Sequence, residues 1–151
     1  MNAIALLKDD HDKVKKMLAD GEETTERAEK TRAEVFGKIK EEMLIHERIE
    51  EEIFYPALKG HPKAKEIVLE GFEEHHVVDE IMGELEATDV TDEQWGAKFK
   101  VMKENIEHHI EEEEGEMFDK ARQVFSDDEL ERLGTQMMEL KKLGQQVGAA
   151  G

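Results

Sequence analysis

The chain carries seven histidines, thirty-nine acidic residues and no cysteine. Without thiols it can build no disulfide framework, no thiolate metal site and no iron–sulfur cluster. Imidazole and carboxylate together can still bind a metal: imidazole suits Zn, Cu, Fe and Ni, and carboxylate suits harder ions. Two groups are spaced for this. His46-Glu47-Arg48-Ile49-Glu50 is followed by Ile53-Phe54, and His109-Ile110-Glu111-Glu112-Glu113 by Met117-Phe118. Each is His-x-x-x-Glu with a large apolar pair after it, so the two read as halves of one site.

Helices must position these residues. Apolar periodicity predicts a first helix from Ala3 to Ala19, stopping near Gly21, and a long second one from Glu22 to Phe54, ending before Pro56. After the loop Lys59-Gly60-His61-Pro62 a third runs from Lys63 to Glu86. Thr91-Asp92-Glu93-Gln94 is a capping box opening a fourth, to Val124, and Ser126-Asp127-Asp128-Glu129 opens a shorter fifth, to Leu143. Short connections make neighbouring helices antiparallel. The expected fold is all-α, an up-down-up-down four-helix bundle with a short fifth C-terminal helix docked through Leu130, Leu133, Met137 and Leu140. One domain, 1–146, and a flexible tail, 147–151, are expected.

Successive helical residues turn by roughly 100°, so residues three or four apart share a face. The apolar stripes are Ile4, Leu7, His11, Val14, Leu18; then Val35, Ile39, Met43, His46, Glu50, Ile53; then Val68, Phe72, His75, Val78 or Asp79, Met82; then Phe99, Met102, Ile106, His109, Glu113, Met117. Every long helix therefore puts one histidine on its buried face, and two add a glutamate. His76 and His108 point away from their stripes, and His61 falls in a loop. A lone buried histidine is more often a hydrogen-bonded core residue than a ligand. Four of them with two buried glutamates, and no Lys or Arg in the central stripes, make a poor core unless a cation neutralises it. Six such ligands exceed what one tetrahedral zinc needs and suit two adjacent ions bridged by Glu50 and Glu113.

The rest of the composition excludes other classes. A net charge of -18 should repel nucleic acid and anionic membrane surfaces. No apolar run is long enough for a membrane span, and Met1-Asn2-Ala3-Ile4-Ala5-Leu6-Leu7 is too short for a secretory signal, so a cytoplasmic location is expected. Two Glu-x-x-His motifs of the ferritin type are absent, as is the His-Glu-x-x-His of zinc proteases.

In its order of motifs the chain resembles the hemerythrin-like, or HHE cation-binding, family from about Ile4 to Leu140. The shared run is Asp10-His11-Asp12, His46 to Glu50 before Phe54-Tyr55-Pro56, Glu74-His75-His76, and His108 to Glu114. The resemblance implies two Fe ions, oxo- or hydroxo-bridged, on His11, His46, Glu50, His75, His109 and Glu113. Oxygen-carrying hemerythrins have His-x-x-x-His on the third helix, whereas the position four after His75 is Asp79. The fifth imidazole is missing. Asp79, Glu47, Tyr55 or water could fill its place, and Glu114 could replace Glu113 if the register slips. A tyrosine–iron bond needs the chain to bend before Pro56; a core role for Tyr55 is the simpler expectation.

The resemblance implies small ligands as partners: peroxide, nitric oxide or oxygen. A less neutral ligand set stabilises ferric iron and disfavours reversible oxygen carriage. The expected function is reaction with peroxide, catalase-like, or with nitric oxide, against the alternative of an oxygen-binding or sensing module without turnover. A monomer is expected.

Overall fold

The computed structural model describes residues 1–150, with side chains described through Val147; the last helix runs to Ala150, past the expected end at Leu143 and through the described part of the expected tail at 147–151. Seven α-helical segments build the fold: α1 (Ala3–Glu22), α2 (Glu29–Ile49), α3 (Tyr55–Lys59), α4 (Lys65–Glu86), α5 (Glu93–Glu112), α6 (Phe118–Val124) and α7 (Asp127–Ala150). π-helical turns at Glu50–Phe54 and Glu113–Met117 join α2 to α3 and α5 to α6 without a break. The result is four rods, α1, α2–α3, α4 and α5–α6, in an up-down-up-down bundle. The fifth helix, α7, packs across α1 and α2. No strand is present among the described residues, and no described helix is long and apolar enough to cross a membrane.

Side-chain caps fix several helix starts. Asn2 Oδ1 accepts the Ala5 N–H at 2.8 Å and opens α1. The capping box at α7 forms in both directions, Glu129 N–H to Ser126 Oγ at 3.2 Å and Ser126 N–H to Glu129 Oε1 at 3.0 Å. At α5 the cap is Asp92, which accepts the Gln94 N–H at 2.8 Å; Thr91 instead donates to Asp89.

Both expected boundaries of the second rod move. The second rod opens at Glu29, not Glu22, because α1 continues to Glu22 and the chain needs residues outside helix to reverse. Arg32 secures that reversal, donating from Nε to Thr24 Oγ1 at 3.1 Å and from Nη1 to Val90 O at 2.9 Å. At its other end the rod does not stop before Pro56. The Tyr55 N–H reaches back to Glu50 O, closing the π turn, and Pro56 then occupies the first turn of α3, where a missing donor costs little.

The core is split in two. One apolar cluster gathers Leu7, Ile49, Phe54, Val68, Phe118 and Met137; the other gathers Leu18, Ile39, Met82, Trp95, Phe99 and Ile106. Every rod passes from one cluster to the other through a single layer of buried polar residues: His11 on α1, His46 and Glu50 on the second rod, His75 on α4, His109 and Glu113 on the fourth. Each fully buried Leu or Phe stabilises by about 1.5–3 kcal/mol, so the two clusters clamp the polar layer from both sides.

α7 adds Leu130 and Met137 to the first cluster, with Leu133 and Leu140 partly buried against it. Its close approach to α1 depends on Gly134, where an added Cβ would meet Met1 O at 2.3 Å and Asn2 C at 2.8 Å. Those are backbone atoms and cannot rotate aside. Gly134→Ala is expected to destabilise by about 1–3 kcal/mol, lowering the melting temperature by about 2–4 °C per kcal/mol. A melt as stable as wild type would show that α7 docks more loosely than this.

Candidate metal centre

Each rod delivers one imidazole to the polar layer because its histidine falls on the 3.6-residue stripe that faces the bundle axis. Two groups of four buried residues form there. His11, His46, Glu50 and Glu113 make one; Glu50, His75, His109 and Glu113 make the other; within each, one nitrogen or oxygen from every residue lies within 4.8 Å of the rest. The glutamates are common to both groups. Glu50 Oε1 approaches His46 Nε2 at 3.1 Å and His75 Nε2 at 3.0 Å. Glu113 spans the groups with separate oxygens, Oε1 to His11 Nε2 and Oε2 to His109 Nε2, both at 3.1 Å.

Of these approaches only His75 Nε2 to Glu50 Oε1 is aligned as a hydrogen bond. His11 Nε2, His46 Nε2, Glu50 Oε2 and Glu113 Oε1 are buried with no hydrogen-bond partner. Such orphans each cost on the order of 1–3 kcal/mol. Lone pairs that converge on a common point, rather than on each other, are what a coordinated cation requires. The donor set, four imidazoles and two carboxylates without sulfur, fits iron among the transition metals.

The outer face of every imidazole is also bound to a carboxylate. Nδ1 of His11 lies 2.7 Å from Glu114, that of His46 3.0 Å from Asp10, that of His75 2.8 Å from Glu51, and that of His109 2.8 Å from Glu74. Each Nδ1–H donates outward, which fixes the ring and leaves Nε2 facing the centre. Asp10 is itself held by Lys141 from α7, Nζ to Oδ1 at 2.5 Å. The accessory helix thus reaches the layer beneath it.

Tyr55 enters the second group. Its hydroxyl donates to Glu113 Oε2 at 2.6 Å and stands 3.4 Å from both His75 Nε2 and His109 Nε2. The ring stacks on His75, centroids 5.3 Å apart. No bend of the chain brings it there. Both site glutamates begin π-helical turns, and closing i→i+5 carries Tyr55 back over Glu50. Space for the phenol comes from Gly71, where a Cβ would meet Tyr55 Oη at 2.9 Å and Met117 Cε at 3.1 Å. Gly71 lies one turn before His75. If His75 is the second histidine of a His-x-x-x-His pair, the missing imidazole belongs at Gly71, not at Asp79, and Tyr55 occupies its room.

The other expected residues are placed as follows. Glu114 pairs with His11 Nδ1 and stays outside both groups, so the register does not slip. Glu47 and Asp79 lie together behind His75, away from the shared glutamates. His76 and His108 are exposed, and His61 packs edge-on against Phe125. Asp10, Glu51, Glu74 and Gly71 were not singled out by sequence, although Asp10 and Glu74 each precede a site histidine and Glu51 follows Glu50 directly.

The charges are strongly coupled. Burial alone would lower the His46 imidazolium, but the Glu50 charge, the Asp10 hydrogen bond and Glu113 raise it well above its usual value. His109 behaves alike, pushed up to about 10 against burial by Glu113 and Glu74. His75 is raised against burial by Glu50 and Glu51. Burial would raise Glu113, yet the Glu50 carboxyl, His109 and His11 hold it well below the carboxylate range. Burial and the charges of Glu113 and Glu50 push the Tyr55 hydroxyl well above a free phenol. Glu47 is pushed up to about 10 by burial and by Asp79 beside it.

The sequence profile of the hemerythrin HHE cation binding domain matches residues 2–121. A crystal structure of a Hemerythrin HHE cation binding domain-containing protein, the Rv2633c homolog from Mycobacterium kansasii, superposes with a TM-score of 0.86. The two share 27% identity, over 99% of this chain and 91% of that one. A search of curated proteins finds no match.

Proposed function

The chain belongs to the hemerythrin HHE cation-binding family, and from that premise we propose that its polar layer holds two iron ions and disproportionates hydrogen peroxide. One observation carries the reading. Two four-residue groups share both glutamates, and the second group is completed by a phenol oxygen instead of a fifth imidazole.

His11 and His46 would hold one ion, His75, His109 and Tyr55 the other, with Glu50 and Glu113 between them. Iron in this setting supplies one-electron redox chemistry that lets peroxide act as both oxidant and reductant, two H2O2 giving two H2O and one O2. The chain's residues set the terms. Tyrosinate is an anionic oxygen donor, as in the tyrosine-ligated haem of catalase, and favours the ferric state. That works against oxygen carriage, which needs a resting ferrous site. The outer carboxylates Glu114, Asp10, Glu51 and Glu74 hold the imidazole Nδ1 protons and keep the rings from turning. Phe118 stacks on His11 and Phe72 meets Tyr55 edge-on, so apolar rings keep bulk water from the layer.

The test is oxygen release from hydrogen peroxide by iron-loaded protein, with nitric oxide consumption measured in parallel. Evolution of one O2 per two peroxides supports the proposal. Consumption of nitric oxide with no peroxide turnover would move the reading to that ligand. Stable, reversible oxygenation without turnover would replace both with oxygen binding.

Loading should also release protons. His109, pushed up to about 10, is charged at pH 7 in metal-free protein, with its second proton on Nε2, and His46 and His75 are raised in the same direction. A metal needs that lone pair. Iron binding is therefore expected to expel at least two protons per chain, one from His109 and one from the Tyr55 hydroxyl, and affinity should fall as pH drops below neutrality. Calorimetry in two buffers of different ionisation enthalpy counts them. A binding enthalpy independent of buffer would contradict this account of the charges.

A further inference from the structure

Glu47 is 4% exposed, and neither of its carboxylate oxygens has a hydrogen-bond partner. It follows His46 directly but takes no part in the two central groups. Glu51, one turn further along the rod, brings an oxygen within 4.8 Å of it, beside His75. Asp79, one turn after His75 on α4, is the carboxyl that faces it across the gap between the rods, near enough to share a proton with it in the metal-free protein though not in good hydrogen-bond geometry. Among the described residues no lysine or arginine lies within ion-pair distance of any of the three; the ion pair recorded for Glu51 is with His75.

A cleft lined by Glu51, Phe72, Glu73, His75, His76 and Asp79 opens from this cluster to solvent. Exposure falls stepwise along it: Asp79 and Glu73 are exposed, Glu51 is half-buried and Glu47 is buried. Glu50 of the central layer lies on the same rod, three residues beyond Glu47. A line of carboxylates thus runs from water to the iron ligands.

We propose that Glu47, Glu51 and Asp79 form a third cation site, the port through which a divalent ion passes to the central layer. The donors are oxygens only. His75 Nδ1 is already committed to Glu51 Oε2 at 2.8 Å and contributes none. Such a set, without nitrogen or sulfur, suits hard divalent ions such as Mg2+ and Mn2+ and admits Fe2+. The ion satisfies both orphaned oxygens of Glu47 at once. The three carboxylates that line the cleft, Glu51, Glu73 and Asp79, also concentrate cations at its mouth. The port role rests on the proposed iron centre; the cation site does not.

The experiment titrates iron-loaded full-length protein with Mn2+ chloride, reading free Mn2+ by electron paramagnetic resonance and iron per chain by metal analysis of the same sample. Wild type is expected to take up one further equivalent. E47Q/D79N should lose that equivalent with its iron content unchanged, and Asp79→Asn alone, at an exposed position and so the change least able to disturb folding, should weaken it. Mn2+ uptake that is equal in wild type and E47Q/D79N, including none in either, overturns the site. Protein that holds no iron overturns the proposed centre instead, and the difference in Mn2+ between wild type and variant still decides the third site. Fe2+ uptake by metal-free E47Q/D79N should be slower by about tenfold or more. An unchanged rate in a variant that has lost the Mn2+ equivalent overturns the port.

Discussion

Glu113→Gln is expected to hold less than half the iron of wild type and to lose peroxide turnover by about 100-fold or more. Replacing a residue behind a ligand typically costs 10–100-fold in metal affinity or activity, so removing a shared ligand should cost at least the upper end of that range. Glutamine keeps the shape and removes the charge. Oε1 of Glu113 reaches toward His11 and Oε2 toward His109, so one substitution weakens both groups. The readouts are iron per chain, oxygen release and the melting temperature with and without chelator. Wild type should melt higher when loaded, because a ligand bound only by the folded state stabilises it; the variant should show little difference.

The metal-free variant should also be less stable than metal-free wild type near neutrality. Glu113 is held below its ordinary pKa, so its contribution is present above the unfolded carboxylate pKa and fades as pH falls through the folded one. Glutamine has no such contribution, and the stability gap should close in acid. Glu114→Gln provides the graded comparison: Glu114 touches only the outer nitrogen of His11, so about 10–100-fold in metal affinity is expected. Full iron content and wild-type turnover in Glu113→Gln would mean that the shared glutamate bridges nothing.

The residues that face the bundle axis were legible because the helices are regular as far as the site. Within α1, α2, α4 and α5 the 3.6-residue period holds, so apolar neighbours three and four residues away report the face of His11, His46, His75 and His109. Glu50 and Glu113 were legible for the same reason, since each opens its π turn and still carries the rotation of the α-helix before it. Beyond them the π turns reset the rotation. On a regular helix Tyr55, five residues after Glu50, would stand roughly 140° off its face. No residue preference announces an i→i+5 turn, so neither the placement of Tyr55 nor the continuation through Pro56 could be read from spacing. The outer carboxylates were hidden differently. Asp10, Glu51, Glu74 and Glu114 are four among thirty-nine acidic residues, and only the direction of each Nδ1 distinguishes them from solvated surface. Gly71 left no trace because its role is the absence of a side chain.

Tyr55→Phe is expected to abolish any visible tyrosinate band of the iron-loaded protein while leaving the fold and most of the iron in place. The ring is fully buried, stacked on His75 and edge-on to Phe72, and phenylalanine keeps those contacts. Only the oxygen is lost. Peroxide turnover should fall and the ferrous state should become easier to reach, because a neutral gap replaces an anionic donor. Gly71→Ala approaches the same oxygen from the other side. Its Cβ would stand 2.9 Å from Oη and 3.0 Å from Cζ, in a packed interior, at a cost of about 1–3 kcal/mol. The phenol must shift, so the band should move or weaken without any change at Tyr55 itself. The combination Tyr55→Phe with Gly71→His completes the argument. It removes the oxygen and offers an imidazole one turn before His75, which should move the protein from peroxide turnover toward reversible oxygen binding. An identical spectrum in wild type and Tyr55→Phe would show that the hydroxyl serves Glu113 as a hydrogen-bond donor and never binds iron.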